Sequence, residues 1–459
     1  MLILPDQFAT YSLRKSSRGD DICRILAAAI NGVDPREAIK RHISRESGHL
    51  VIDNSNYDLD KFNQVFVIGA GKASIPMAFA VNEILGDRIT SALVITKDGY
   101  HDSIKYPFER KVSIIEANHP IPDHRNLDAA VQLINLTNDL NESDLIIFLL
   151  SGGGSSLLMK PSPGISLQDI QTTTSLLLGC GATITEMNTI RKHVDVFKGG
   201  GLAKFFSPAS VVSLILSDVV GNSPDVIASG PTVADPTTFN DAWMVLNKYQ
   251  LLDEVSLHIK VHISAGMRGE MPETLKPGDP ILKKVSNFIV GNNRAAASSA
   301  FDMALALGFN AKLLTTSLQG EASHMGQIIF AKAKSLFLPP SSFERPACFI
   351  AGGETTVTLK GSGKGGRNQE LALGAVSSLN SSDQWILASL ATDGGDGPTD
   401  AAGAVATNLT YSRGLTLGID PQIYLDRNDS YHYFEALGDL IKTGPSLTNV
   451  NDLVFIFGL

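Results

Sequence analysis

Cysteine is scarce in this 459-residue chain: Cys23, Cys180 and Cys348 lie far apart, and no CxxC pair occurs. Three thiols cannot pair completely, so they read as small buried hydrophobes in a reducing compartment. Positive charge is also short, with 38 Lys and Arg against 47 Asp and Glu, a net charge of −9. A broad nucleic-acid or anionic-membrane binder needs a dominant basic surface. Neither partner is expected, and any anion must be held by a local cluster. Long apolar runs are missing too: the strongest, residues 145–150, falls far short of the roughly 20 residues that span a bilayer. The opening MLILPDQFATYSLRK has no basic leader and only a short apolar stretch, which predicts a cytoplasmic protein. There is no HExxH, no Cys/His zinc pattern, no GxSxG elbow, no HRD/DFG set and no EF-hand spacing, so the commonest metal, hydrolase and protein-kinase signatures drop out. Short-period repeats and low-complexity tracts are absent as well.

Glycine, by contrast, is plentiful, and the 41 glycines cluster in loops after apolar runs. VFVIG (65–69), ALVIT (92–96), VSIIEA (112–117), DLIIFLL (144–150) and VVSLILSD (211–218) are continuous Val/Ile/Leu runs. Helix-compatible stretches such as KASIPMAFAVNEIL and NLDAAVQLINLTNDL (126–140) lie between some of them. That alternation predicts a parallel sheet covered by helices on both faces, with ligands held at the carboxyl ends of its strands. Near the start, Ile22, Ile25, Leu26 and Ala29 recur at helical spacing, giving one helix or two broken near residues 32–35. After the connector LKPGDP (275–280), NFIVGNNRAAASSAFDMALALGF (287–309) restarts the strand–Gly–helix grammar, and ETTVTL (354–359), WILASLATD (385–393) and DLVFIFG (452–458) follow. The expected fold class is therefore α/β with two α/β domains. Residues 1–270 form a Rossmann-like, mostly parallel sheet, and residues 271–459 form a smaller C-terminal α/β domain.

Several loops could carry chemistry. Gly69-Ala70-Gly71-Lys72-Ala73-Ser74 follows a strand and opens a helix. Ser74 occupies the third glycine position of the dinucleotide fingerprint, no suitable acid follows about 20 residues on, and the P-loop spacing also fails. What remains is a close-approach backbone at Gly71 with a cation, Lys72, beside it. The alternative is a surface lysine on a tight turn. Ser151-Gly152-Gly153-Gly154-Ser155-Ser156 follows the most apolar strand, and three successive glycines cost backbone entropy without a compensating use. They read as a backbone cradle for a phosphate or carboxylate, or as a flexible turn. MNTIRKHVDVFKGGGLAK (187–204) clusters Arg191, Lys192, His193, Lys198 and Lys204. A continuous helix would place Arg191 and Lys198 two turns apart on one face; a solvated basic face is the other reading, and His193 reads as structural. Asp218 ends VVSLILSD and Asp393 ends WILASLATD, each a candidate general base or Mg²⁺ ligand at a strand end. GKGGRNQE (363–370) offers Arg367 for bidentate anion recognition, with Asn368 beside it. The inventory suits phosphoryl transfer, which asks mainly for positioning and charge neutralisation.

In order along the chain, VIGAGKAS, LLSGGGSSLL, MNTIRKHVDVFKGGGLA, LSDVVGNSPDVIASGPT, GGETTVTLKGSGKGGRNQELAL, ATDGGDGPTDAAGA and ALGDLIKTGPSLTNVNDL resemble the glycerate 2-kinase family with a C-terminal MOFRL domain. The resemblance covers about residue 20 to the C-terminus; the 240–285 and 310–345 stretches match loosely. It implies ATP-dependent, Mg²⁺-assisted phosphorylation of D-glycerate at the 2-hydroxyl, in an active site in the cleft between two α/β domains. It also puts Lys72 and Arg367 at positions of family residues thought to act in catalysis. On that reading Lys72 and Arg367 meet the transferring phosphoryl group. Gly71, Ser151, Gly152, Gly153, Gly154 and Ser155 hold phosphates or the glycerate carboxylate, with Arg191 and Asn368 as further binding residues. Asp393 or Asp218 takes the hydroxyl proton or holds Mg²⁺. Two other classes compete: an NAD(P)-dependent hydroxypyruvate reductase, a label some family members have carried, and a non-catalytic sensor of a sugar phosphate or acid. Oligomeric state is not readable, and a homo-oligomer stays open.

Overall fold

The computed structural model describes residues 2–100, 112–339, 343–381 and 383–459. The chain divides into two compact units, Pro35–Val290 and a discontinuous one made of Met1–Asp34 with Gly291–Leu459.

Within Pro35–Val290, the apolar runs form the strands Gln64–Ala70, Ser91–Lys97, Val112–Ala117, Asp144–Leu150 and Ser210–Leu216, joined by Val285–Gly291. Their order in space is Val112–Ala117, Ser91–Lys97, Gln64–Ala70, Asp144–Leu150, Ser210–Leu216, Val285–Gly291. Numbered along the chain that is 3-2-1-4-5-6, the Rossmann order, and the four ladders joining the first five strands are parallel. All seven residues of Asp144–Leu150 are buried, which requires cover on both faces of the sheet. Ile68, Phe148, Leu157, Phe206 and Ile215 share its main apolar core. A second apolar nucleus lies among the helices Leu167–Gly179, Ile184–Val194, Phe239–Lys248 and Leu257–Met267, through Leu177, Ile190, Phe239 and Ile259. A small antiparallel sheet of Ile43–Glu46, His49–Ile52 and Ser55–Asp58 has no counterpart in the sequence reading, because its strands are short and largely polar.

The other unit has a mixed six-stranded sheet in the order Asn310–Leu318, Ala347–Gly353, Asp452–Gly458, Trp385–Ala391, Gly403–Thr407, Leu440–Ile441. Only the Asn310–Leu318 and Ala347–Gly353 pair is parallel. The fully buried C-terminal strand Asp452–Gly458 is inserted at its middle.

Three details differ from the sequence reading. The units part at Val290 and Gly291 rather than at 270 and 271, since Val285–Gly291 completes the Rossmann-type sheet. The first 34 residues join the C-terminal unit because helix Gly19–Asn31 packs on helix Asn293–Ala306, closely enough that a Cβ on Gly32 would lie 2.1 Å from Ser299 Oγ. ETTVTL is not a strand: Ala347–Gly353 ends at Gly353, whose φ of +149° turns the chain, and Thr356 makes only an isolated bridge to Glu321. The opening helical stretch is indeed broken, into Gly19–Asn31 and Pro35–His42. Among the described residues no helix is long and apolar enough to cross a membrane.

Candidate functional site

The strand order reverses between Gln64–Ala70 and Asp144–Leu150, so the switch point of the sheet lies where GAGKAS and SGGGSS emerge. At such a point two neighbouring crossovers leave in opposite directions and open a crevice. Hydrogen bonds tie the two loops together. Lys72 N–H donates to Gly152 O at 2.9 Å, and Ala73 N–H donates to Ser151 Oγ at 2.9 Å. Gly71 has φ +131°, and a Cβ there would lie 2.2 Å from Ser151 Oγ, so only glycine fits the junction. The helix begins at Ser74. The Ser74 hydroxyl is buried and donates to Gly71 O at 2.7 Å, with Ile95 O at 3.1 Å. That position works here as a side-chain clamp rather than as a glycine.

Beside these loops stands His119, which the sequence reading missed. A Cβ on Gly153, itself at φ +85°, would come within 3.0 Å of the imidazole Nε2. Burial, then the charges of Lys72, Lys97 and Arg191, push His119 down to about 4. It is therefore a neutral hydrogen-bonding ring among cations at neutral pH.

The basic segment 187–204 resolves into unequal parts. Helix Ile184–Val194 stops at Val194, and Asp195 is extended, so Lys198 is not on that helix as a continuous reading required. The break has a local cause: the Asp195 carboxylate accepts from the backbone N–H of Lys160 and Phe197 and from Lys198 Nζ at 2.9 Å. Lys198 Nζ also donates to Ser155 O at 2.7 Å, buttressing the glycine loop from behind. Lys192 is buried against Asp235 at 3.1 Å. His193 is structural, holding Thr189 O at 2.8 Å and Glu273 at 3.3 Å. Arg191 alone of these four has neither a hydrogen bond nor an ion pair among the described residues, and burial lowers its proton affinity. A desolvated guanidinium without an anion is a binding site in waiting.

Asp218 lies two residues beyond Ser210–Leu216, the strand next to the one that feeds SGGGSS. The following loop is strained: Ala228 and Ser229 take φ +48° and +63°. Ser229 Oγ sits 2.9 Å from Ser155 Oγ and donates to Asn188 Oδ1 at 2.9 Å, which fixes the rotamer of the glycine-loop serine.

The C-terminal unit has a second centre at the start of helix Arg367–Leu379. Arg367 is clamped: Nε and Nη2 donate to Asp452 at 2.5 and 3.1 Å, and Nη1 donates to Glu354 at 2.8 Å. Burial alone would weaken its hold on the proton, but Asp452 and Glu354 more than offset this. Burial raises the Asp452 carboxyl, Arg367 opposes that, and the charge of Asp393 adds to the rise. Asp393 follows Trp385–Ala391 and accepts from Gly395 N–H at 3.2 Å. Asn368 is buried and turned inward, accepting from Ser389 Oγ at 2.7 Å and donating to Asp396 at 3.3 Å. Asp396 also accepts the helix N–H groups of Asn368 and Gln369 at 3.1 and 2.9 Å, while burial pushes it up to about 6. Glu354 and Asp452 were inside quoted motifs but had no signal in sequence, since they meet Arg367 only through the sheet.

Two family models match the chain: one described as a domain of unknown function, DUF4147, over residues 21–264, and the MOFRL family over residues 347–452. A glycerate 2-kinase of Pyrococcus horikoshii is 40% identical over 94% of this chain and 95% of its own. A D-glycerate 2-kinase of Thermotoga maritima is 41% identical over 94% and 96%. The chain belongs to the glycerate kinase family. The crystal structure of glycerate kinase from Thermotoga maritima superposes with a TM-score of 0.83 at 40% identity, covering 98% of this chain and 100% of that one. A relative from Agrobacterium vitis, 40% identical over 94% of this chain and 92% of its own, carries a provisional hydroxypyruvate reductase name.

Proposed function

We propose that this protein is an ATP-dependent glycerate 2-kinase. The γ-phosphorus to β-oxygen bond of ATP breaks, a bond forms from that phosphorus to the 2-oxygen of D-glycerate, and the products are 2-phosphoglycerate and ADP. The observation that carries this reading is 41% identity to a D-glycerate 2-kinase across 94% of the chain. The geometry supports roles for the residues. Lys72 and Arg367 stabilise the charge of the transferring phosphoryl group, where preorganised cations have most effect. Backbone N–H groups and hydroxyls of Ser151 to Ser155 hold phosphate or carboxylate oxygens, with Gly71 giving room for close approach. Arg191, unpaired and desolvated, meets one anionic group of the substrates. Asp393 accepts the proton of the 2-hydroxyl, with Asp218 as the other candidate, and the remaining carboxylate serves Mg²⁺. Such an ion, held jointly with nucleotide phosphates, needs only one or two carboxylates. When bound, Mg²⁺ neutralises phosphate charge. Three unpaired cysteines suit a cytoplasmic setting, and a homo-oligomer stays open to measurement.

The reductase reading draws on the name of the Agrobacterium relative. Ser74 speaks against it, because its buried hydroxyl fills the place where a dinucleotide fingerprint needs glycine for helix–strand packing. Incubation with ATP, Mg²⁺ and D-glycerate, read by phosphorus NMR, tests the proposal. A 2-phosphoglycerate signal is expected. A 3-phosphoglycerate signal would keep the kinase and change the attacking hydroxyl; no product, with hydroxypyruvate reduced at the expense of NAD(P)H, would favour the reductase.

A further inference from the structure

Next to the glycine loop lies a partly open cavity. It is lined from helices Leu167–Gly179 and Ile184–Val194 and from the segment around Pro120, and its walls are mostly apolar: Pro120, Met159, Ile170, Leu177, Ile190 and Val194. Its polar side chains include Ser155, Thr173, Thr174, Arg191, Asp195 and Lys198. Asp195 and Lys198 pair with each other at 2.9 Å, which leaves Arg191 as the ion of the lining without a partner among the described residues.

One further group stands out. Thr173 is 3% exposed, lines the cavity, and its Oγ1 has no hydrogen-bond partner. Hydroxyls in the middle of a helix usually return to a carbonyl one turn back, as Ser175 does to Gln171 O at 3.0 Å and Thr189 to Thr185 O at 3.0 Å. Thr173 does not, and an unpaired hydroxyl at this depth calls for a partner from outside the chain. A largely apolar slot with an unpaired buried hydroxyl and an arginine without a counter-ion among the described residues has the composition of a site for a flat heterocycle carrying an anionic tail. Of the two substrates of the proposed reaction, D-glycerate bears oxygen on every carbon and has no apolar face to bury. The nucleotide has one.

We propose that this cavity takes the purine base of ATP, with Thr173 Oγ1 hydrogen-bonded to the edge of the base and Arg191 at the rim meeting the phosphates. The assignment rests on the kinase reading and adds to it the location of the base. It also gives the unpaired Arg191 an anion that arrives only with the nucleotide.

The test uses full-length protein with isotope-labelled methionine methyl groups, the Met159 signal being identified through Met159→Leu. ADP should shift that signal, and inorganic tripolyphosphate, which has the anionic tail without the base, should leave it in place. In steady-state assays Thr173→Val should raise KM for ATP about tenfold, the effect of one lost buried hydrogen bond. KM for D-glycerate should stay unchanged, and Thr173→Ser should restore the parent value. A protein that makes 2-phosphoglycerate while ADP leaves Met159 unmoved, or while Thr173→Val keeps its KM for ATP, overturns the pocket and leaves the kinase intact. Equal shifts with ADP and tripolyphosphate overturn it as well. An ADP-specific shift in a protein that does not phosphorylate glycerate upholds the pocket and removes the glycerate reading instead. Should Thr173→Val fail to fold, the methyl experiment on the unsubstituted protein decides alone.

Discussion

The two units each present an arginine, and the two arginines are held in opposite ways. Arg367 is gripped by Asp452 on one edge and Glu354 on the other, so its position is fixed before any substrate arrives. Arg191 is half-buried without a counter-ion among the described residues. The first is a preorganised cation whose desolvation is already offset within the fold; the second is a cation whose desolvation is offset only when an anion binds. Positioning residues of the first kind join stability to turnover. Those of the second kind set stability against affinity.

Arg367→Ala should have the largest effect and show both faces of that coupling. Turnover should fall about 10²–10³-fold, as for loss of one preorganised charge donor. Stability should drop by about 3 kcal/mol because Asp452 is left buried without its partner. Lys72→Ala should give a similar loss of turnover. If Arg367→Ala melts with the parent protein, the clamp is not stabilising and the contrast fails. Gly71→Ala comes next: its Cβ would press on Ser151 at a φ of +131°. It should cost about 2–5 kcal/mol in denaturant unfolding and misalign both glycine loops.

Arg191→Ala should weaken binding about 10–100-fold, the range for one charged hydrogen bond, as read from KM for ATP and for glycerate separately. Its melting temperature should hold or rise, since a desolvated unpaired charge is removed; a clear fall would mean that Arg191 has a structural partner. The smallest effect concerns His119. Its folded value of about 4 lies below the ordinary 6.5, so the unfolded chain takes up the proton first. Stability should therefore decline as pH falls from 6.5 toward about 4, and His119→Asn should flatten that limb in denaturation midpoints measured across pH.

Much of the Rossmann-type unit was legible because a parallel sheet buried on both faces needs continuous apolar strands, and those stand out in sequence. The glycine loops were legible for a related reason: glycine runs after strands have no packing use of their own. The clamp on Arg367 was not, because Asp452 is 85 residues away and reaches it through the insertion of the C-terminal strand into the middle of a sheet. The helix break at Asp195 was missed since periodicity treats Arg191 and Lys198 as one face, while a single carboxylate collecting N–H groups ends the helix between them. His119 had no motif to mark it, and its character comes first from burial and then from three cations brought near by folding.

The sequence alone determined the class of fold, the family and the residue types available for phosphate chemistry. All three are written in local patterns of apolar runs, glycines and ordered motifs. Tertiary structure decided which two glycine loops meet, which arginine is paired and which is left for a ligand, and where a threonine hydroxyl is buried without a partner. Strand order and burial depend on contacts between segments far apart in the chain, and local pattern carries no record of them.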